Sequence, residues 1–495
     1  MSQDILIVGA GICGMCSALA LARKGHRVRL YERDIPPPEG GAERAFFDWQ
    51  RKGAAQFRHP HAFLGLMCNL LQDNYPDLLD DFMTAGARKL TFKDMLAPEL
   101  LPGYAPEAGD EKLWVLMCRR ATMETVLRRY VTRIPEVEII NSSHVVGIIT
   151  EKTQPGINVK GLSLKNREGQ FEEHADIVVD ASGRSSRFPR WFDALGTKID
   201  QEMDAAEIVY YSRHYRLMPG VKEPPRTGKE RSAGDLGYLK YGVFPGDNGH
   251  FAVIVCLPEA ERKLRNAVKD GETFDRMCRS IPGVAPWLEQ GKMEATTTSF
   301  GIGGIQSVWR SYLIDDQPVA LNFFAVGDAA IRTNPLYGRG CSIGILHAHL
   351  LADLIEEIQD PVARALSFDK RTEKQLRPIF QASLNEDKNG IKRARSVREN
   401  RGLERPRSLK QWFGLAFGDA LAAALQDQLH VVRGMMRTVN LLEKPGQFLT
   451  EPRIRLTIIR YMLRGRRRNA AARIQQGPSR EEMLALVADR NCSSD

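Results

Sequence analysis

The sequence predicts an α/β fold with an inserted antiparallel sheet and a helical, basic C-terminal region. Three observations predict it. Strand, glycine turn, helix and strand follow one another within the first 34 residues. From about Ala206 the pattern changes to aromatic and β-branched runs separated by turn residues. From about Pro361 the chain reads mainly as helix, and Lys and Arg crowd its last quarter.

The first stretch carries the strongest signal. Ile5 to Val8 is a short apolar strand, and Gly9, Gly11 and Gly14 follow it in a G-x-G-x-x-G pattern. Met15 to Arg23 reads as a small-residue helix, and Val28 to Tyr31 as a second strand ending at Glu32. Gly9 permits the tight turn, Gly11 lets a pyrophosphate approach the backbone, and Gly14 lets helix and strand pack closely. The helix N-terminus, with Ile12 and Cys13, offers N–H groups to phosphates. Glu32, about twenty residues on, accepts hydrogen bonds from ribose hydroxyls, and Arg33 stands beside it. Strand before, helix after and acid at this distance predict a Rossmann-like dinucleotide site. The alternative is a strand–helix unit whose glycines serve packing alone.

With 495 residues, 43% hydrophobic and 26% charged, the chain can bury two or three structural domains. The first buried strand begins almost at once, so no signal peptide is expected. No apolar run reaches the length of about 20 residues that a membrane span needs. The eight cysteines are scattered. Cys13 and Cys16 form a C-x-x-C, but they lie at the glycine turn without a second ligand pair, which favours packing over zinc or redox chemistry. No metal is expected, and the cysteine usage suits a reducing cytoplasm. The formal charge is +9. Zinc-finger spacing and aromatic-studded basic strands are absent, so nucleic acid is not expected as a partner. An acidic substrate or an anionic membrane surface fits better, against the default of a solvated basic face.

After Glu32, a loop crowds Arg51, Gln56, Arg58, His59 and His61. It either clasps a cofactor or anion, or is a solvated loop. Helix is expected from Ala62 onward and again over Leu78–Met95. Lys112–Arg119 reads as a strand running into an amphipathic helix, with Arg120 at the junction. Further strands fall near Val137–Ile140, Val145–Thr150 and Ile157–Leu164. Ile177 to Val179 is a buried strand that runs into a sharp turn at Ser182-Gly183-Arg184. In the strands after Ala206, alternation puts Tyr210, Ser212 and His214 on one face and Tyr211, Arg213 and Tyr215 on the other. Leu321 to Ala325 reads as one buried strand. It leads to Asp328 at a strand's carboxyl end, where α/β sheets bind ligands. A loop with Asn334, Pro335, Tyr337, Gly338 and Gly340 follows, and a long helix begins near Cys341. In the last region, Ile454, Leu456, Ile458, Ile459, Met462 and Leu463 mix with seven arginines from Arg453 to Arg468. Such a basic amphipathic helix either caps the body or lies on an anionic membrane. The expected domains are 1–205 with 307–360, 206–306, and 361–495.

Three separated motifs then agree, and over about residues 1–350 the chain resembles the FAD-dependent monooxygenases of the aromatic-hydroxylase type. They are GAGICG with Glu32, DIVVDASGRSSR, and FFAVGDAAIRTNPLYGRG. GAAQFRHPHAFL is similar to a loop of the subgroup called putative hydroxylases. The resemblance implies a Rossmann-like FAD-binding domain and a substrate domain built on the antiparallel sheet. It implies that Gly9, Gly11 and Gly14 hold the pyrophosphate, Glu32 the adenosine ribose, Arg120 the phosphate or ribityl region, and Asp328 a ribityl hydroxyl. Backbone N–H groups from Gly340 through Cys341 to Ser342 would face the flavin N1 and C2 carbonyl, where a helix dipole stabilises the reduced ring.

The activity implied is insertion of one oxygen atom from O2, through a C4a-(hydro)peroxyflavin, into a small aromatic or lipid-like substrate. NADPH, NADH or a partner flavin reductase would supply electrons. Tyr210, Arg213 and His214 are the candidates for orienting substrate or relaying a proton. Two departures count. Ser182-Gly183 stands where the family has Asp-Gly, a motif tied to NAD(P)H use. The W-x-W-x-I-P stretch of flavin halogenases is absent. Tyr241 with Phe244-Pro245 is loosely similar to isoprenoid-chain reductases, which keeps an FAD-dependent dehydrogenase or reductase open. A non-catalytic carrier, of the kind that escorts lipid-modified proteins, is the third reading.

Overall fold

The computed structural model describes all residues except 1, 229, 401–405, 407, 470–471, 473–476 and 489–495. Part of the basic run expected to be helical at the C-terminus therefore lies outside the described residues. The chain opens with β1 (Asp4–Val8), α1 (Ile12–Ala22) and β2 (Arg27–Tyr31). α2 (Arg120–Val131), β3 (Val137–Ile140) and β4 (Ile177–Asp180) follow after insertions. The antiparallel region supplies β5 (Ile208–Leu217), β6 (Lys240–Pro245) and β7 (His250–Pro258). The chain then returns through β8 (Phe323–Ala325) to α3 (Gly340–Glu357). It ends with α4 (Pro361–Arg398), α5 (Leu409–Asp427), α6 (Leu429–Val439), α7 (Pro452–Leu463) and short helical segments.

A five-stranded parallel sheet in the order β8-β4-β1-β2-β3 forms the centre. Side chains alternate along a strand, so its two faces feed two cores. Ile5, Ile7, Ile177 and Val179 join α1, α2 and α3 in one core. Leu6, Val8 and Val178 join the second, with Val159, Leu162 and Leu164 of the strand Ile157–Lys165 and with Leu376 and Phe380 of α4. Burial on both faces accounts for the continuous apolar runs of these strands. The second sheet has the order Ala233–Asp235, β6, β7, β5, Met293–Ala295, with Phe300–Ile302 also on β5. Its far face buries Tyr211, Tyr215, Phe251 and Val253 against Leu264, Phe274 and Met277.

Three expectations need correction. Leu78–Met95 is not one helix. Its first helix spans Pro76–Thr84, Gly86 takes φ +93°, and Arg88–Thr91 pairs as a strand with Trp114–Met117. The expected strand Leu321–Ala325 is two. Asn322 takes φ +56° as the chain leaves a pairing with Ile157–Asn158 for one with Val178–Asp180. Ala62–Phe63 is a short strand, and the helix there begins at Gly65.

Candidate active site

The carboxyl ends of β1, β4 and β8 open onto one cavity of about 460 Å3. Its first wall is the turn after β1. Gly9 takes φ +98°, and a Cβ there would lie 2.8 Å from the Ala181 carbonyl oxygen. A Cβ on Gly14 would lie 1.9 Å from the Gly9 carbonyl oxygen, so α1 sits tightly on the turn. Gly14 thus acts by packing and does not line the cavity, whereas Gly9, Gly11, Ile12 and Cys13 do. At Gly11 an added Cβ would meet nothing nearer than Arg51 Nη2, at 3.9 Å. α1 begins without a side-chain cap, which leaves its first N–H groups to the cavity.

A second helix start stands on the same cavity. α3 also lacks a side-chain cap, and Gly340 and Cys341 line the wall. Cys13 joins the two ends. Its thiol would lie 2.6 Å from a Cβ on Gly327 and 3.2 Å from one on Gly344. Burial pushes the Cys13 and Cys16 thiols up, so both stay protonated and serve as packing groups. Asp328 lies in a 3₁₀ turn between these helices, partly buried, with its carboxylate on the cavity. Among the described residues that carboxylate has no hydrogen-bond partner. Enclosure raises its pKa, opposed by Arg332, Arg120 and Arg184.

Glu32 is more engaged than the sequence suggests. Its carboxylate accepts the N–H groups of Ala10 and Asp34, each at 3.0 Å, and the Arg51 guanidinium at 3.0 Å. Arg51 also holds Asp34 at 3.1 Å and Glu124 at 3.0 Å. The other oxygen of Glu124 takes Arg120 Nε at 2.6 Å, and Arg120 Nη1 lies 3.3 Å from His61 Nε2. His61 Nδ1–H donates to the His59 carbonyl at 2.8 Å. This places a neutral imidazole against Arg120. Burial first, then Arg120, lowers the His61 pKa to about 3. Glu124 is fully buried. Burial would raise its pKa, but Arg120 and Arg51 outweigh it and hold it low. The loop around residue 51 therefore builds the wall and is not a solvated loop.

Arg51 belongs to the loop that the sequence offered as a cofactor or anion clasp, but Glu124 escaped assignment from sequence. Glu124 sits four residues after Arg120 on a helix, which reads as an ordinary surface pair. Arg33 lines the cavity as expected.

At the middle motif, Asp180 accepts the Ser182 N–H at 3.0 Å and the Ser182 and Ser186 hydroxyls at 2.5 Å each. The Ser182–Ser185 turn then faces the cavity, with Arg184 and Arg187 beside it. Among the described residues neither arginine makes an ion pair.

The catalytic candidates lie on the faces that alternation predicts, but they do not reach the cavity. Arg213 points to the far face of its sheet, pairing with Asp275 at 2.8 Å and donating to the Thr297 carbonyl at 3.1 Å. Tyr210 and His214 face the cavity side but are covered. Tyr210 donates to the Asn334 side-chain oxygen and accepts the Leu336 N–H at 3.1 Å. His214 Nε2–H donates to the Arg58 carbonyl at 2.6 Å, and burial lowers its pKa to about 3. None of the three lines the cavity, and neither does Ser342, which is buried. The sheet side of the cavity is instead Ile302, Gly304, Ile305 and Gln306. The loop after Asp328 is braced from α4. Asn334 donates to Asp387 at 2.6 Å, Tyr337 to Asp387 at 2.9 Å, and Arg339 to Ser383 at 2.6 Å. Tyr241 joins the far-face core and Phe244 the second core, so neither isoprenoid-reductase position reaches the cavity.

Comparison with known proteins agrees with this architecture. Residues 4–62 match the model of the FAD dependent oxidoreductase family. Protein Rv3254 of Mycobacterium tuberculosis is 27% identical over 368 residues, which is 69% of this chain and 71% of that protein. Squalene monooxygenase of Candida glabrata is 22% identical over 382 residues, 72% of this chain and 71% of that one. Among solved structures, PqsL, a probable FAD-dependent monooxygenase from Pseudomonas aeruginosa, superposes with a TM-score of 0.54 at 18% identity. That match covers 80% of this chain and 96% of PqsL. The flavin-dependent brominase Bmp2 superposes with a TM-score of 0.59 at 15% identity, over 94% of this chain and all of Bmp2. A glycine turn, two uncapped helix starts and an Asp328 without a partner among the described residues share one cavity, and the chain has the fold of PqsL and Bmp2, with residues 4–62 similar to the FAD dependent oxidoreductases.

Proposed function

We propose that this protein is an FAD-dependent monooxygenase acting on a small aromatic or lipid-like substrate. The observation that carries this is the pairing of two uncapped helix N-termini with the Asp328 carboxylate on one cavity. That cradle has places for an anionic pyrophosphate, a polyhydroxyl chain and an electron-rich ring. The turn Gly9–Cys13 and Arg51 would hold the pyrophosphate, and Glu32 and Arg33 the adenosine end. Arg120 and Asp328 would hold the ribityl chain, and the N–H groups at Gly340 and Cys341 the far end of the ring. Bound there, FAD would supply reduction of O2 and delivery of one oxygen atom.

The chain's own residues would do the rest. Glu124 fixes Arg51 and Arg120 against the cofactor. The α3 N-terminus lowers the energy of negative charge beside it. Ile302, Ile305 and the aromatic rings of Phe188 and Trp191 shield parts of the cavity from water. Squalene monooxygenase is named for a lipid substrate and p-nitrophenol 4-monooxygenase PnpA of Pseudomonas putida, which shares the fold, for an aromatic one, which supports this substrate range. Arg184 and Arg187 make a cationic rim suited to the phosphates of NADPH or NADH, which we take as electron donor. The domain limits 1–205 with 307–360, 206–306 and 361–495 complete the reading, with the sheet of β5–β7 as the substrate side.

The test begins with the purified protein's flavin spectrum. The holoenzyme is then mixed with NADPH or NADH in air and without air. Rapid bleaching, and a product that requires O2, is expected. Product formation at full rate under anaerobic conditions would replace the monooxygenase by a dehydrogenase. Colourless protein that takes up no FAD would end the reading altogether.

A further inference from the structure

The C-terminal helices leave a face that the oxidoreductase reading does not use. α7 turns Ile454, Ile458 and Tyr461 inward, against Ala420 and Ala424 of α5 and Phe448. Its opposite side carries Leu456, Ile459 and Leu463, which are 66%, 52% and 82% exposed. At helical spacing these three fall within an arc of about 60°. Arg453, Arg460 and Arg464 flank the stripe on one side and Arg455 on the other. α7 contains no acidic residue. Among the described residues Arg453 and Arg460 have no carboxylate partner, and Arg464 lies over the Tyr461 ring. The first turn of α5 exposes a second apolar group, Leu409, Trp412 and Phe413, beside Lys410.

Single exposed apolar side chains are ordinary, but a continuous stripe on one helix marks a surface that something covers. Charge decides between occupants. A second copy meeting this face across a two-fold axis would set arginines against arginines, which costs free energy. An anionic bilayer takes both halves of the pattern: its acyl boundary receives the leucines and isoleucine, and its phosphates receive the guanidiniums. No described helix is long and apolar enough to cross a membrane, so the contact would be in the plane of the surface. We propose that the outward face of α7 docks this protein on an anionic lipid bilayer, with the first turn of α5 as a second anchor. The proposal is independent of the chemistry assigned to the cavity.

Its test uses the full-length flavoprotein and sedimentation with vesicles of phosphatidylcholine, with and without phosphatidylglycerol, in the absence of substrate or electron donor. Co-sedimentation is expected with the anionic vesicles, about tenfold weaker on neutral ones, and weaker again in high salt. The triple variant Leu456→Ser, Ile459→Ser, Leu463→Ser should lose about tenfold or more in partition while keeping its flavin and melting temperature. Arg453→Gln, Arg460→Gln, Arg464→Gln, a change at exposed charges only, should remove the preference for anionic lipid. Wild-type protein that stays in the supernatant with anionic vesicles overturns the proposal, as does a serine variant that binds like wild type. A wild-type dimer split by the serine variant would show that a second copy covers the stripe instead.

Discussion

The two helix starts on the cavity do the same electrostatic job but are held in place differently. The start of α1 is positioned locally. Gly9 and Gly14 lie so close to each other and to Ala181 that neither glycine has room for a Cβ, and Glu32, 22 residues beyond Ala10, takes the Ala10 N–H. The start of α3 is positioned from afar. Its preceding loop is fastened by Tyr210 from the inserted sheet and by Ser383 and Asp387 from α4. The first arrangement is rigid by sterics, the second by a polar network spanning three parts of the chain. The α1 side should therefore fail as a unit when disturbed, and the α3 side should loosen by degrees.

The strongest test is at Glu124, where the α1 side recruits its own distant carboxylate. It is fully buried and neutralises both Arg51 and Arg120. Glu124→Leu leaves two guanidiniums without a shared counter-charge, and a broken buried pair costs about 3–5 kcal/mol. The expected outcome is a large fall in melting temperature with loss of bound flavin. A variant that keeps both would show that the network is not what holds this wall.

Gly14→Ala comes next. The new methyl would stand 1.9 Å from a backbone oxygen, so α1 must shift. Overpacking of this kind costs about 1–3 kcal/mol, more where backbone is the obstacle. Flavin content, read as absorbance per protein, should drop with stability. The matching change on the other side, Gly340→Ala, meets nothing closer than Asp328 at 3.6 Å, so stability should hold. Equal damage from the two variants would erase the distinction between the two helix starts.

That distinction also explains what the sequence could reveal. Gly9, Gly11, Gly14, Glu32 and Arg33 lie within one continuous strand–helix–strand unit, where spacing alone carries the geometry. Asp328 and Gly340 were legible because a strand end and a helix start bracket them. Glu124 was not, nor was its pairing with Arg51, since 73 residues separate the two and nothing local marks either as buried. Tyr210 and His214 were placed on the correct face by alternation. What alternation cannot show is which segment covers that face, and here the loop at Asn334 and the carbonyl of Arg58 do so. Arg213 was counted with them although it faces the other side, where Asp275 awaits it.

On the α3 side, Asp387→Ala removes the acceptor shared by Asn334 and Tyr337. Each orphaned polar group costs about 1–3 kcal/mol when it stays buried. Because the loop is held by several such bonds, flavin should remain bound. The expected change is slower turnover at unaltered flavin content. Complete loss of flavin would mean that this loop is as intolerant of change as the glycine turn.

The smallest effect per pH unit concerns His61, which belongs to the α1-side network. Its folded pKa is depressed to about 3 from an ordinary value of 6.5, first by burial and then by Arg120. Below pH 6.5 the unfolded chain takes up a proton at this residue and the folded chain does not. Stability therefore falls as the pH drops, by up to about 1.4 kcal/mol per pH unit. The loss continues until the folded pKa is reached. Above pH 6.5 both states are neutral and the residue has no effect on the slope. His61→Asn should flatten the stability–pH curve by that amount between pH 6.5 and about 5, a window in which ordinary carboxylates stay ionised. Denaturant unfolding at a series of pH values reads the slope directly. An unchanged slope would mean that His61 is protonated in the folded protein, and the Nε2 contact with Arg120 could not then be the hydrogen bond that ties the loop to α2.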